Sequence, residues 1–255
     1  MKLFLFTAVM LAFASTNVLA FDHSHSKWDK VLKDYQNENG LVNYKKLKAD
    51  ANNKEHSFNS YLSEVSGVSE SEYNKFKSEE KMAFLINAYN AFTFKLIVDN
   101  YPVKSIKDIG SLFTSSWKKE FFSMLGGKVK SLDPIEHEWL RPKFKDYRIH
   151  AAVNCASISC PPLRHEAFLG SNLDKQLDEQ MSFWLKDESR NRFDEKFGKL
   201  YLSKIFDWYG DDFEKWGDGI KAVVKKFGPK AAVEAIKKGG DIDYLDYDWG
   251  LNEAK

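Results

Sequence analysis

The segment Met82 to Val98 constrains this chain more than any other part of the sequence. It is apolar on nearly every side of a helical projection, and Tyr101-Pro102 ends the longest helical stretch, Ser69 to Asn100, in which it lies. A helix that is apolar all round is a buried helix, wrapped by the rest of its fold. The chain is therefore expected to build its core around this helix, and an aromatic content of 15% is ample for such a core. Asn87 and Asn90 interrupt the apolar run three positions apart, on nearly one face. A buried amide left without partners costs about 1–3 kcal/mol. The two asparagines therefore either tie the helix to neighbouring loops or line a pocket.

The first twenty residues read as a secretory signal. Lys2 gives the positive start, Leu3 to Ala14 is apolar except for Thr7, and Val18 and Ala20 occupy the small-residue positions before a cleavage point. Cleavage is expected after Ala20, giving a periplasmic or secreted protein that begins at Phe21. The apolar run is shorter than the roughly 20 residues of a membrane span, and no later segment is long and apolar enough, so no span is expected after cleavage. The full chain has 38 Lys and Arg against 37 Asp and Glu; losing Lys2 balances the two. A neutral chain offers no global attraction to nucleic acid or to an anionic membrane, and no nucleic-acid partner is expected.

Residues 21–255 are expected to form one helix-rich α+β domain with a small, mostly antiparallel sheet. No repeat, low-complexity tract or linker divides them. Ser26 to Tyr35, Leu173 to Lys186 and the regions around Ile220 and Ala232 have helical spacing of apolar residues. Ser111 to Met124 is amphipathic. Asp133-Pro134-Ile135-Glu136 reads as a helix start with a capping box, and that short helix carries His137. Arg148 to Asn154 alternates apolar and polar residues and reads as the best internal strand. Val129 to Leu132, Lys199 to Leu202 and Tyr244 to Trp249 are further strand candidates. Cys155 to Pro162 must be a loop, because Pro161-Pro162 cannot continue a central strand.

Several blocks in order resemble domain-of-unknown-function family 547. They are Phe84-Leu-Ile-Asn-Ala-Tyr-Asn-Ala91, Leu132-Asp-Pro-Ile-Glu-His-Glu-Trp-Leu-Arg141, and the run from Arg148 to Leu163 that holds both cysteines. Ile205 to Tyr209 with Asp211-Asp212-Phe213 resembles a fourth block, and Tyr247 to Asn252 looks like the family's ending. The resemblance spans about 71–252 and implies no established activity. It implies that Cys155 has a role needing no disulfide partner, since some relatives keep that cysteine and replace the one matching Cys160.

His150, Cys155, Cys160 and His165 fall at even spacing, and several chemistries compete for them. In an exported chain the bland reading is a Cys155–Cys160 disulfide. The second is a nucleophilic Cys155, which needs a base or a positive neighbour to lower its pKa. His150 is a poor choice on the strand reading, because it would lie roughly 16 Å away on the opposite face. His137, oriented by Glu136 or Asp133, is the better base, and N–H groups of the Ala156 to Ser159 loop could hold an oxyanion. The third is zinc on all four residues, but their spacing lacks the familiar short knuckle. A redox-active pair is the remaining reading. His23 and His25 are placed in a flexible end, and Asp211 and Asp212 in a solvated turn or helix cap.

The expected function is thiol-dependent acyl transfer or hydrolysis at an amide, ester or thioester, with Cys155, His137 and Glu136 as the catalytic set. Asn87, Asn90, His150, Asn154, Trp208 and Tyr209 are expected to form the pocket around them. The alternative is a non-catalytic binding module stabilised by the disulfide. Neither a metal nor a cofactor is expected, and the partner is a small molecule or peptide that the sequence does not identify.

Overall fold

A computed structural model describes residues 20–111 and 113–254. The signal-like segment through Leu19 lies outside the described residues. Five helices open the fold: α1 (Ser26–Tyr35), α2 (Tyr44–Asp50), α3 (Ser57–Gly67), α4 (Glu70–Lys75) and α5 (Ser78–Asn100). As its composition requires, α5 is the buried axis. From Met82 to Phe94 every residue is buried, and the exposed end carries a Lys95–Asp99 ion pair one turn apart. At its start the Glu80 carboxylate accepts from the backbone N–H of Lys77 at 2.8 Å, satisfying a donor that precedes the first turn.

The two asparagines of α5 act as ties. Asn87 Nδ2 donates to the Phe168 carbonyl at 2.7 Å, and its Oδ1 accepts from the Phe168 N–H at 3.0 Å. Asn90 does the same for a second segment, donating to the Ala152 carbonyl at 2.9 Å and accepting from the Asn154 N–H at 2.8 Å. Leucine at either position would orphan two buried backbone groups. Each substitution should therefore cost about 2–5 kcal/mol, read as a lower urea midpoint with unchanged slope; an unmoved midpoint would show that the ties add nothing.

Residues 132–144 are helical but uneven: α6 (Leu132–Pro134), a π-helical stretch Ile135–Leu140, then α7 (Arg141–Phe144). Ser131, not Asp133, is the residue before the first turn, and the capping box read from Asp133 and Glu136 is not formed. Glu136 is buried instead. Among its described residues the amphipathic stretch Ser111 to Met124 holds one 3-10 turn, Ser116–Lys118, and Val129 makes an isolated bridge to Met124 in place of the expected strand.

The largest local correction concerns Arg148 to Asn154. Its core is not a strand but one helical turn, α8 (Ile149–Ala152), followed by an extended Val153. All four residues of the turn are buried. A short segment buried on every side carries no period that can be trusted, and Ala151-Ala152 favours the helix. The turn packs on α9 (Leu173–Lys186), and Arg148 anchors it through ion pairs to Asp146, Asp174 and Asp178.

The remainder is β1 (Arg192–Asp194), β2 (Lys199–Leu202), α10 (Lys204–Trp208), α11 (Gly210–Trp216), α12 (Ile220–Phe227), α13 (Lys230–Lys237) and β3 (Asp241–Tyr244). The architecture is helix-rich α+β. Its three-stranded sheet is mixed: β1 runs antiparallel to β2 with Phe193 opposite Leu200, and β3 runs parallel to β2 with Ile242 opposite Leu200. Helices α10 to α13 form the crossover that a parallel pair requires. The last strand ends at Tyr244, and Tyr247 to Trp249 continue without pairing.

Two hydrophobic clusters result. The larger surrounds α5; the smaller gathers Trp184, Phe206, Phe213 and Val224 beneath the sheet and its crossover. The segment after Ala20 is built into the first. The Phe21 ring packs edge-on against Phe84 at 5.0 Å, and its backbone N–H donates to Glu72 at 3.0 Å. The looseness expected there for His25 is not found: His25 is buried, its Nδ1 lies 2.8 Å from Tyr61 Oη, and desolvation pushes its pKa down to about 3. Among the described residues no helix is long and apolar enough to cross a membrane.

Candidate active site

A cleft of about 280 Å³ opens along the seam between the two clusters. Tyr89 of α5 reaches it from one side and Ile205 of α10 from the other, while Cys155, His150, His137 and Glu136 converge on it. Replacing the expected strand by α8 is what allows this convergence. One helical turn and a short extended step carry the chain from His150 to Cys155, so both line one cleft instead of pointing from opposite faces of a strand.

Cys155 and Cys160 are free thiols. Their sulfurs lie 3.0 Å apart, a hydrogen-bonding contact well beyond the roughly 2.05 Å of a disulfide bond, so the expected disulfide is not present. Cys160 Sγ also accepts the backbone N–H of Cys155 at 3.0 Å. Tyr247 Oη and Ser157 Oγ each lie 3.1 Å from Cys155 Sγ and 2.8 Å from one another. These contacts have opposite effects on the two cysteines. The Cys160 hydrogen bond, opposed by burial and assisted by Ser157 and Tyr247, brings Cys155 down to about 7. Burial, reinforced by the neighbouring Cys155 sulfur, pushes the Cys160 thiol well above its ordinary value.

The bend that presents Cys155 is held from behind. Ala156 has φ +57°, a left-handed conformation that costs a non-glycine residue roughly 1–2 kcal/mol. Asn154 Oδ1 accepts its N–H at 2.8 Å, and Asn154 Nδ2 donates to the Pro161 carbonyl at 2.9 Å, closing the base of the loop. Asn87, Asn90 and Asn154 thus stand behind the cleft wall and are not among its lining residues. Three of the four loop N–H groups expected to hold an oxyanion are engaged within the protein. Ala156 gives its N–H to Asn154, Ile158 to the Gly250 carbonyl and Ser159 to the Asp248 carbonyl.

The two histidines differ sharply. His150 is buried, with its ring stacked on Tyr209 at 4.0 Å and its Nε2 2.8 Å from Asp212 Oδ2. Asp212 also takes a two-pronged contact from Arg141, Nε at 2.6 Å and Nη2 at 3.0 Å. Burial opposes ionisation of this carboxyl, but the hydrogen bonds from His150 and Arg141 prevail and lower it to about 2. Asp212 is therefore a buried ion-pair centre and not a solvated turn residue. His137 is exposed, and its Nδ1 accepts from Arg141 Nη1 at 3.0 Å, which occupies the nitrogen a base would use. Glu136 does not orient His137; its carboxylate faces Tyr209, whose phenol is held far above its usual pKa by burial and by that neighbour. His165 is exposed beside a separate depression with Lys33 and Glu179, so the quartet read as zinc ligands is not assembled. Among the described residues no group of His, Cys, Asp and Glu has the arrangement of a metal site.

Residues 73–185 match the family described as Protein of unknown function, DUF547. The chain contains a DUF547 domain. No curated protein and no solved structure matches the chain. The DUF547 match is narrower than the span from 71 to 252 over which the sequence resembles the family, and it divides the cleft. Glu136, His137, His150, Cys155 and Cys160 fall inside it; Tyr209, Asp212 and Tyr247 fall outside. The last two were not picked out as functional residues in the sequence, although Asp212 sits three residues after Tyr209 on the face that also buries Phe213. An acidic residue on an apolar helix face was the available signal.

Proposed function

We propose that the cleft catalyses thiol-dependent acyl transfer or hydrolysis at an amide, ester or thioester, with Cys155 as nucleophile and His150, held by Asp212, as its acid–base partner. The observation that carries this is the pairing of an acidified thiol with a carboxylate-anchored imidazole in one cleft. His150 takes over the role expected for His137, whose Nδ1 is engaged by Arg141.

Hydrogen bonds from Cys160, Ser157 and Tyr247 acidify Cys155. The thiolate attacks the substrate carbonyl carbon and forms the C–S bond. The carbonyl electrons move to oxygen, and the hydroxyls of Tyr247 and Ser157 beside the sulfur supply hydrogen bonds there in place of the occupied loop N–H groups. When the intermediate collapses, the bond to the leaving group breaks and His150, protonated and balanced by Asp212, gives it a proton. Water or an amine then attacks the thioester and passes its proton to His150. The C–S bond breaks and the thiolate is restored. In this scheme His150 matters most for protonating the leaving group.

The test is the pH dependence of Cys155 alkylation by iodoacetamide, with p-nitrophenyl acetate as a generic acyl donor. The thiolate is the reactive form, so alkylation should rise with pH through a midpoint near 7, about 1.5 units below an ordinary cysteine. Replacing Tyr247 by Phe should move that midpoint up. A midpoint at the ordinary value, together with no acyl-enzyme by intact mass, would dismiss the reading.

We infer as well that the protein is exported and processed after Ala20. The signal-like composition of the first twenty residues supports this, as does Phe21, whose ring and N–H are both engaged by the fold. Intact-mass measurement of exported protein should give a chain beginning at Phe21; a chain beginning at Met1 would rule it out.

A further inference from the structure

We propose that the substrate carries a positive charge, a primary or quaternary ammonium group, seated between Glu136 and the aromatic wall of Trp208, Tyr247 and Trp249. This rests on the reading of the cleft as the substrate site. Six aromatic residues and two carboxylates, Asp133 and Glu136, line the cleft, and among the described residues no lysine or arginine does. In a chain whose cations and acids nearly balance, at 38 and 37, that asymmetry is a property of the site.

Glu136 is the decisive residue. It is 5% exposed, and it faces the cleft from a π-helical turn. Among the described residues neither Glu136 nor Asp133 is in an ion pair, although Arg141, one turn beyond Glu136, is committed to Asp212. An ionised carboxylate taken out of water without a counter-charge is costly. Tyr209, its neighbour, is a neutral phenol and supplies no charge. A cationic ligand would supply what is missing.

The opposite wall is built for the same guest. Trp208 stacks on Trp249 with ring centres 5.6 Å apart and lies 4.7 Å from Tyr247, and Trp208 remains 46% exposed. Aromatic faces attract cations, most strongly once water is excluded. The outer side of this stack already does so: Lys107 Nζ sits 3.8 Å over the Trp249 ring. Tyr247 is both a member of this wall and a hydrogen-bond partner of Cys155. A cation bound against the wall would therefore place its own carbonyl neighbour close to the sulfur, as the free amino end of a short peptide or an aminoacyl group does.

The experiment uses the full chain with Cys155→Ser, so that binding is read without catalysis and its failure is distinct from a failure of the acyl-transfer reading. Tryptophan fluorescence is titrated at constant ionic strength with n-butylammonium, n-butanol and butyrate. Butylammonium should saturate at a concentration lower than butanol by about tenfold, the scale of one charge contact in a partly desolvated site. Glu136→Gln, which keeps the side-chain shape, should abolish that preference. Equal response to the three probes, or an unchanged preference in E136Q, overturns the proposal. Should E136Q not fold, the thermal midpoint of the Cys155→Ser chain decides. A rise with butylammonium and none with butanol supports the proposal, and equal rises overturn it.

Discussion

Replacing Cys155 by serine should abolish acyl transfer and leave the fold intact. Serine keeps the size of the side chain and can still bond to Ser157 and Tyr247, so the urea midpoint should correspond to a change within about 1 kcal/mol. The chemistry is another matter. The remaining thiol, Cys160, is buried and its pKa is raised, so labelling by iodoacetamide at neutral pH should fall by about 100-fold. The matched variant Cys160→Ser removes a thiol from the same pair, yet should keep labelling and acyl transfer, because the serine hydroxyl can still donate to the Cys155 sulfur. The contrast between the two serine variants separates reactivity from packing. Equal loss of labelling in both would mean that Cys155 has no chemical privilege, and the acyl-transfer reading would fall.

Asp212→Asn should have the second largest effect. The carboxylate holds His150 through Nε2 and Arg141 through a two-pronged contact, and at 5% side-chain exposure it is little screened by water. The amide has one acceptor oxygen in place of two, so its NH2 must face a donor of Arg141 or His150, and it cannot balance an imidazolium. Turnover of p-nitrophenyl acetate should fall by about 10³–10⁴-fold, the scale seen when the carboxylate behind a catalytic histidine is lost. Stability should fall by about 2–4 kcal/mol, near the lower end for a broken buried pair because Arg141 remains partly exposed. The linkage has a definite sign. Asp212 is lowered from 3.8 to about 2, so its stabilisation is fully present above pH 4 and is lost as pH falls toward 2. The wild-type chain should therefore lose stability over that window more steeply than the asparagine variant. Parallel acid curves would remove Asp212 from the centre of the network.

The central helix was legible because it is apolar on every side, a pattern that only burial explains; the cost of unpaired amides left Asn87 and Asn90 as ties or as pocket lining, and they are ties rather than the pocket residues expected. The cysteine loop was legible from its prolines. The turn at His150 was not. Ile149, Ala151 and Val153 alternate by accident of composition, and complete burial on all sides removes the contrast on which a period depends. That misreading also cost the site its histidine, since the separation assigned to His150 and Cys155 holds only for an extended chain. The free thiols were hidden for another reason: two cysteines five positions apart suit a disulfide and a hydrogen-bonded pair equally well. Asp212 and Tyr247 lie 57 and 92 residues beyond Cys155 in the chain, and tertiary packing alone brings Asp212 to His150 and Tyr247 to Cys155.

The cleft follows the seam between two hydrophobic clusters, and its lining draws on both: Tyr89, Val153 and Trp249 from the larger, Ile205, Tyr209 and Tyr247 from the smaller. Occupancy is therefore linked to the unfolding of both at once. A ligand that needs both walls adds RT ln(1 + [L]/Kd), about 2.7 kcal/mol at one hundred times its dissociation constant, only to states in which both clusters stand. Partial openings in which the smaller cluster melts by itself lose that ligand and are suppressed by the full amount. Hydrogen exchange of amides in α11 and α12 would slow on binding as much as exchange in α5, although α5 is the more deeply enclosed. The bound chain would melt as one cooperative body, whatever division its two cores allow when the cleft is empty.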